Sequence, residues 1–264
     1  MVVLITGISS GFGLETARLL SQEGHIVYGT VRREVEPIPG VHYLRVDVRD
    51  REAVKSTVQQ VFDKEGRIDV LVNNAGMGIG GPVEFATEEE IREQMDTNFM
   101  GLVHFVTAVL PVMRNQGAGK IIALSSIGGV MGLPFQGFYS ASKFAIEGYC
   151  EALRLEIQQF GIQVVVVRPG DFSTSFTASR KKTVNTEAMQ AYKTYAESIG
   201  KVEHDETSGL KPQVLARKIS QIIRKKHPHL GYVVASFEQR LSVLLKRTLP
   251  ARWFGKILGS YYKL

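Results

Sequence analysis

The stretch Val2-Val3-Leu4-Ile5-Thr6-Gly7-Ile8-Ser9-Ser10-Gly11-Phe12-Gly13 decides how the rest of the chain is read. Val2–Thr6 is a β-branched apolar run that reads as a strand. Gly7, Gly11 and Gly13 then turn the chain into Phe12–Glu23, which has helical periodicity. Small residues let a backbone turn tightly, and its N–H groups can approach a diphosphate at the positive end of the helix that follows. The spacing is G-x-x-x-G-x-G, so the generic G-x-G-x-x-G fingerprint is not strictly matched. An ordinary strand–helix turn is the competing reading. The position of the turn at the first β–α junction is what favours a nucleotide.

Outward from this turn the chain alternates short apolar runs with longer amphipathic ones. Expected strands are Val2–Thr6, His25–Val31, His42–Val46, Val70–Val72, Lys120–Ser125, Gln163–Arg168 and Tyr232–Val234. Several are continuous Val/Ile/Leu runs, as parallel strands buried on both faces require. Expected helices are Phe12–Glu23, Arg51–Lys64, Glu88–Arg114, Tyr139–Phe160 and Pro212–Lys226. The alternation predicts an α/β fold: a single Rossmann-like, doubly wound parallel sheet of about seven strands with helices on both faces. No internal repeat or interdomain linker is visible, so residues 1–264 are expected to form a single domain. The longest stretch outside the alternation, residues 175–211, is polar and reads as a substrate-binding lobe or lid. It holds one candidate helix, Thr186–Ile199, with Ala188, Tyr192, Tyr195 and Ile199 at helical spacing.

Composition narrows the function classes. The 264 residues are 44% hydrophobic and 22% charged, which argues against a disordered or collagenous chain. The single cysteine, Cys150, excludes an intramolecular disulfide framework and a multi-cysteine metal site, and reads as a buried small apolar residue. The six histidines show no metal-binding spacing, so no metal is expected. No apolar run approaches the roughly 18 residues of a membrane span. No secretory signal precedes the first strand, which makes the cytoplasm the expected location. Net charge is +6, and the surplus gathers at the C-terminus: Arg240, Lys246, Arg247, Arg252, Lys256 and Lys263 face one acid, Glu238. Without zinc-finger spacing, an RNA-binding sheet signature or a helix-turn-helix, nucleic acid is not an expected partner.

Two further segments carry chemistry. The end of the second strand reads Tyr28-Gly29-Thr30-Val31-Arg32-Arg33, without the acid that a Rossmann site uses to hold the ribose hydroxyls of NAD. A guanidinium can instead pair a 2′-phosphate, so NADP(H) is favoured over NAD(H), unless the arginines are simply surface residues. In Tyr139-Ser140-Ala141-Ser142-Lys143, the tyrosine and lysine are i,i+4 and share a helix face. A phenol of pKa about 10 is a poor base near neutrality, and a nearby ammonium lowers that value. Ser126 follows the Lys120–Ser125 strand, where its hydroxyl could polarise a carbonyl. Alone, such a pair is more often structural than catalytic.

Together the ordered motifs resemble the short-chain dehydrogenase/reductase family across nearly the whole chain. They are the Thr6–Gly13 turn, Asn73-Asn74-Ala75-Gly76, Asn98, Ser126, Tyr139 with Lys143, and Pro169-Gly170 followed by Thr174. The run Ser126–Gly148 looks like the hydroxysteroid and retinol dehydrogenase branch. The resemblance implies that Tyr139 is the acid/base, that Lys143 lowers its pKa and binds the nicotinamide ribose, that Ser126 and Tyr139 hold the substrate oxygen, and that Asn98 positions a relay water. It also implies that Gly7, Ser9, Ser10, Gly11, Phe12 and Gly13 cradle the coenzyme, with Ser9 and Arg32 nearest the extra phosphate. Asp47 and Val48 would meet the adenine, and Asn74, Ala75 and Gly76 the adenosine and ribose side. Pro169, Gly170, Phe172 and Thr174 would hold the carboxamide. Asp171 departs from the apolar residue common there. Met77, Met131, Phe135 and Phe138 are equally readable as substrate contacts or packing.

The function expected from this set is NADP(H)-dependent interconversion of a ketone and a secondary alcohol on a steroid-, retinoid-, sphingoid- or other lipid-like molecule, in the reductive direction. A 3-oxoacyl thioester reductase and a catalytically weak, coenzyme-binding regulatory protein are the alternatives. The family often pairs the helices that correspond to Asn98–Arg114 and Tyr139–Phe160, so a homodimer or homotetramer is implied. Residues 240–264 form a basic amphipathic tail split by Pro250, which reads either as terminal helices packed on the domain or a subunit, or as a peripheral membrane contact.

Overall fold

The computed structural model describes residues 1–183 and 190–264. Seven strands form one parallel sheet in the order β3-β2-β1-β4-β6-β7-β9. These are β1 (Val2–Ile5), β2 (Ile26–Val31), β3 (Val41–Arg45), β4 (Val70–Asn73), β6 (Gly119–Leu124), β7 (Ile162–Pro169) and β9 (Gly231–Val234). All seven expected strands are present, with ends moved by about one residue, and the doubly wound α/β class is correct. Two short strands, β5 (Ile79–Gly80) and β8 (Lys181–Lys182), pair with each other outside the sheet.

The continuous apolar character of the strands follows from the two faces they fill. Val2 and Leu4 of β1 enter one core with α2 (Arg51–Glu65), α4 (Gly101–Gln116) and α5 (Gly137–Ile157). Val3 and Ile5 enter the opposite core with α1 (Gly11–Gln22) and α8 (Pro212–Arg224). Side chains alternate across a strand, so both residue sets must be apolar. Each fully buried aliphatic side chain contributes about 1.5–3 kcal/mol.

The expected helix Glu88–Arg114 is interrupted. It comprises α3 (Glu88–Met95), a π turn (Asp96–Met100) and α4. The combined segment is long and apolar enough to cross a membrane by composition. Phe105, Val106, Val109 and Met113, however, are fully buried in the core. The π turn carries Asn98, and one extra residue per turn of this kind often marks a functional position.

Beyond β7 come α6 (Ser175–Ser179), β8 and α7 (Tyr195–Thr207). Residues 184–189 lie outside the described residues, so the first part of the expected helix Thr186–Ile199 is not described. Its latter part differs from expectation: Tyr192 precedes α7, which starts at Tyr195 and continues to Thr207. The reason is a buried stripe, Tyr195, Ser198, Ile199 and Val202, whose continuation the polar residues around it concealed. The tail forms α9 (Phe237–Thr248) and α10 (Ala251–Tyr261), broken at Pro250. Ser236 and Gln239 make a capping box at the start of α9. Val243 and Phe254 anchor the two helices against Ile127 and Met131.

Lys120 on β6 is buried, and its Nζ donates to the carbonyls of Ile222 (2.9 Å), Ile223 (2.8 Å) and Lys225 (2.8 Å). An ammonium thereby satisfies the open carbonyl end of α8 and its dipole. Lys120→Met should strand these acceptors and destabilise the fold by about 1.5–3 kcal/mol. A lowered urea midpoint would register this, and an unchanged midpoint would show that the carbonyls find other partners.

Candidate active site

The strand order reverses between β1 and its neighbours β2 and β4, and open α/β sheets bind ligands outside the carboxyl ends at such a point. A cleft of about 250 Å3 opens there. Its floor is set by short-range bonds across the switch. Thr6 Oγ1 accepts from the backbone N–H groups of Asn74 and Ala75, both at 2.9 Å. Asn74 Nδ2 donates to the carbonyls of Thr6 and Gly7, both at 2.8 Å. Thr30 Oγ1 accepts from the Gly7 N–H at 3.0 Å.

The turn between β1 and α1 fits a dinucleotide diphosphate. Gly7 and Gly11 have φ of +71° and +56°, values that favour glycine. A Cβ on Gly13 would stand 2.2 Å from the Gly7 carbonyl oxygen. At the start of α1, Ser10 makes no side-chain cap and no acid occupies the first turn. The helix N-terminus thus faces the cleft with donors and positive dipole available to an anion.

Of the expected coenzyme residues, Gly7, Ser9, Ser10, Gly11, Phe12, Arg32, Asp47, Val48, Asn74, Ala75, Gly76, Tyr139, Lys143, Pro169, Gly170, Phe172 and Thr174 line the cleft. Gly13 does not. It lies behind the turn, where its missing side chain lets Asn74 and Gly7 close up. Asp47 already accepts from Arg49 Nε and Nη2, and these bonds hold its carboxyl below the usual range. Thr174 caps α6 by accepting from the Phe176 N–H. Val31 is buried and exposed Arg32 stands at the cleft edge.

Ser126, Tyr139 and Lys143 meet at one end of the cleft. Lys143 Nζ donates to the Leu124 carbonyl at 2.9 Å and lies 5.7 Å from the centre of the Tyr139 ring. Burial pushes the Tyr139 phenol up to about 12, and the neighbouring Ser126 hydroxyl opposes that shift. Burial pushes the Lys143 ammonium down to about 8 against the raising influence of Glu147. The phenol is therefore protonated throughout the neutral range, ready to donate, while the ammonium is weakly held.

Asn98 is placed differently from the other expected catalytic residues. Its side chain is buried behind the cleft, accepting from the Met77 N–H (2.8 Å) and donating to the Met77 carbonyl (3.0 Å) and Ser142 Oγ (3.0 Å). Ser142 in turn donates to the Tyr139 carbonyl at 2.7 Å. The Asn98 amide thus ties the exit of β4 to the helix carrying Tyr139. Met77 lines the cleft, whereas Met131, Phe135 and Phe138 do not. Met131 packs under the tail, and Phe135 packs on Tyr192 and Tyr195. Cys150 is buried, and burial pushes its thiol up to about 12.

The sequence reading expected a lobe over residues 175–211 but did not name the residues it brings to the cleft, Phe176, Val202, Asp205 and Glu206, and it missed Tyr262. The phenyl ring of Phe176 lies 5.8 Å from that of Tyr139. Glu206 pairs with buried Arg180, and Asp205 accepts from Lys201 Nζ at 2.6 Å and Tyr261 Oη at 2.7 Å. Asp171, also in the cleft, has a neutral partner, Gln239 Nε2 at 2.5 Å, and no cation among the described residues pairs with it.

A Tyr/Ser/Lys cluster beside a dinucleotide-shaped turn defines an oxidoreductase site, and the comparisons agree. Residues 1–185 match the family described as short chain dehydrogenase, and the chain belongs to the short-chain dehydrogenase/reductase family, whose members bind nicotinamide dinucleotides. A 3-ketodihydrosphingosine reductase of Bacteroides thetaiotaomicron is 48% identical over 264 residues, covering 100% of this chain and 98% of the relative. Human 17-beta-hydroxysteroid dehydrogenase type 1 is 41% identical over 191 residues, 66% of this chain and 58% of that protein. The solved structure of a short-chain dehydrogenase from Streptomyces avermitilis superposes with TM-score 0.82 at 29% identity, covering 92% of this chain and 91% of that one.

Asp171 generates a pH-dependent prediction. Burial first, then Glu206 and Asp205, push its carboxyl up to about 7 from an ordinary 3.8, and Gln239 opposes them. A folded value above the unfolded one means its stabilisation is complete below pH 3.8 and is lost as pH rises through about 7. Asp171→Asn keeps an acceptor for Gln239 and cannot ionise. Its melting temperature relative to the parent should therefore rise between pH 4 and pH 8; a constant difference would contradict the assignment.

Proposed function

We propose that the chain is an NADP(H)-dependent reductase that converts the ketone of a long-chain sphingoid base to its secondary alcohol. The observation that carries the reading is the pairing of two unlike kinds of group in one cleft. Ser126 and Tyr139 supply hydroxyls to it, and Asp171, Asp205 and Glu206 supply carboxyl groups. A 3-keto sphingoid base has an ammonium group on the carbon beside the ketone and a long alkyl chain. Its ketone suits the hydroxyls, and its charge suits Asp171, whose own partner is neutral. Steroids and retinoids have no cation for the carboxyl groups, and a thioester linked to phosphopantetheine would bring phosphate towards them. The 48% identity with the Bacteroides thetaiotaomicron reductase supports the same substrate class.

In this reading the β1–α1 turn, Asn74–Gly76, Lys143 and Pro169–Thr174 would hold a nicotinamide dinucleotide, which would supply hydride for the ketone carbon. Ser126 Oγ donates a hydrogen bond to the ketone oxygen, and Tyr139 Oη transfers its proton to that oxygen as the alcohol forms. Lys143 stabilises the phenolate that remains and bonds the ribose. Asn98 acts through the helix, holding Tyr139 by way of Ser142, with a relay water as its further role. Positioned proton donation of this kind contributes roughly 10²–10⁴-fold in rate. The described residues of the 175–211 lobe, 175–183 and 190–211, cover the substrate within the single domain. The enzyme works in the cytoplasm as a homodimer or homotetramer. Support for assembly comes from Phe144 and Leu155, 45% and 66% exposed on α5, with open space over Gly148 between them.

NADPH absorbance with 3-ketodihydrosphingosine, a steroid ketone and a 3-oxoacyl thioester tests the substrate class. Turnover should be highest with the first, and Tyr139→Phe should cut it by about 10²-fold or more while coenzyme binding persists. Faster turnover of another ketone class overturns the substrate assignment, and substantial activity in Tyr139→Phe overturns the mechanism.

Arg32 tests the coenzyme. Losing one charge-assisted bond costs about 1.5–3 kcal/mol. Arg32→Ala should therefore weaken NADPH binding roughly tenfold to a hundredfold and leave NADH binding nearly unchanged. Equal losses for both coenzymes would remove Arg32 as the 2′-phosphate partner.

A further inference from the structure

The two C-terminal helices carry apolar residues on both sides. On the inner side, Val243 and Phe254 are buried. On the outer side of α9, Phe237, Leu241 and Leu244 follow one another at i, i+4 and i+7 and are 79%, 42% and 56% exposed. On α10, Trp253 and Ile257 repeat the pattern at 67% and 49%. Half of the large exposed hydrophobic side chains of the described structure thus lie beyond residue 236. Single exposed apolar residues need no explanation, whereas aligned stripes on adjoining helices mark an interaction surface.

Charge selects the occupant. Arg240 and Arg247 fall on the α9 stripe, Lys256 on the α10 stripe, and Arg252 beside it, all exposed. Among the described residues no carboxylate pairs with any of the four. A second copy docked through this face about a two-fold axis would set the same cations against one another. A nucleic acid would match the charge and leave the aliphatic stripes unburied. Aliphatic side chains interleaved with arginine and lysine, and a tryptophan at their edge, fit an interface where acyl chains meet anionic headgroups.

We propose that α9 and α10 dock the protein peripherally on an anionic lipid surface. The surface adjoins the cleft, because Tyr262 at the end of α10 lines it and Ser198 of the lobe bonds the Tyr262 carbonyl. Docking therefore brings the cleft towards the membrane, and on the substrate reading above an alkyl-chain ketone reaches Tyr139 without crossing water. Docking itself is independent of that reading and is measured without turnover.

Trp253 is the chain's single tryptophan, so its emission reports on this surface alone. The full-length protein is mixed with phosphatidylcholine vesicles and with phosphatidylcholine–phosphatidylglycerol vesicles. The latter should sediment the protein, shift the Trp253 emission to the blue and shield it from iodide, with binding that weakens as salt rises. Arg247→Gln and Lys256→Gln should each weaken binding about fivefold, and Leu244→Ser should weaken it without altering the far-ultraviolet dichroism. Equal behaviour with both vesicle types, or none with either, overturns the proposal. So does a Trp253 emission already blue and shielded without vesicles in an oligomer that Leu244→Ser dissociates, which would assign the face to a second copy. Loss of ketone turnover with intact vesicle binding would instead count against the substrate reading.

Discussion

The Asn74 side-chain amide, donating to the Thr6 and Gly7 carbonyls, is the interaction on which the rest of the site depends. It spans the point where the sheet order reverses, and it joins the exit of β4 to the turn that follows β1. Two backbone acceptors that a tight turn would leave exposed are satisfied by one planar group, which also defines the turn's shape. The approach is possible because Gly13 has no Cβ to displace Asn74 Nδ2, which would lie 2.5 Å from it. Thr6 repeats the constraint from the other side by accepting from the N–H groups of Asn74 and Ala75. A phosphate cradle, a cleft floor and the start of α1 are consequently one rigid unit.

A second tie connects this unit to the reacting end. Met77 follows the Asn74–Gly76 segment, Asn98 bonds its backbone at both the N–H and the carbonyl, and Ser142 passes the connection to Tyr139. The π turn supplies the local geometry that points Asn98 inward. Burial then acts with opposite signs on the neighbouring phenol and ammonium, since it disfavours whichever form is charged. Tyr139 is kept as a proton donor, and Lys143 is made sensitive to any negative charge that develops beside it.

The remaining wall has a different origin. The family match ends at residue 185, after all the residues that resemble coenzyme and catalytic positions. Val202, Asp205, Glu206 and Tyr262 come from later in the chain, held by Arg180, Lys201, Tyr261 and the tail helices. Residues within the family match thus share a cleft with others drawn from α7 and the C-terminus. Those are also the elements next to the exposed apolar stripes. The proposed substrate wall and the proposed lipid-facing surface therefore share the same packing.

The sequence by itself determined the seven strands, because a strand buried on both faces must be apolar at every position and that signal is local. The glycine turn and the Tyr139–Lys143 pair were also legible, but glycine spacing and an i,i+4 relation were ambiguous singly, and only the ordered set of motifs along the chain pointed to a coenzyme site. Arg32 and the absence of an acid beside it were readable directly. Tertiary structure alone decided that Gly13 lies behind the turn and that the Asn98 side chain bonds Met77 and Ser142, because each depends on which atoms a folded neighbour presents. It alone placed α7 at Tyr195–Thr207, where a buried stripe outweighs a polar composition. It alone brought Asp171, Asp205 and Glu206 into one cleft with Tyr262. Those residues lie on three separate segments, and only packing of the lobe and tail over the sheet makes them neighbours.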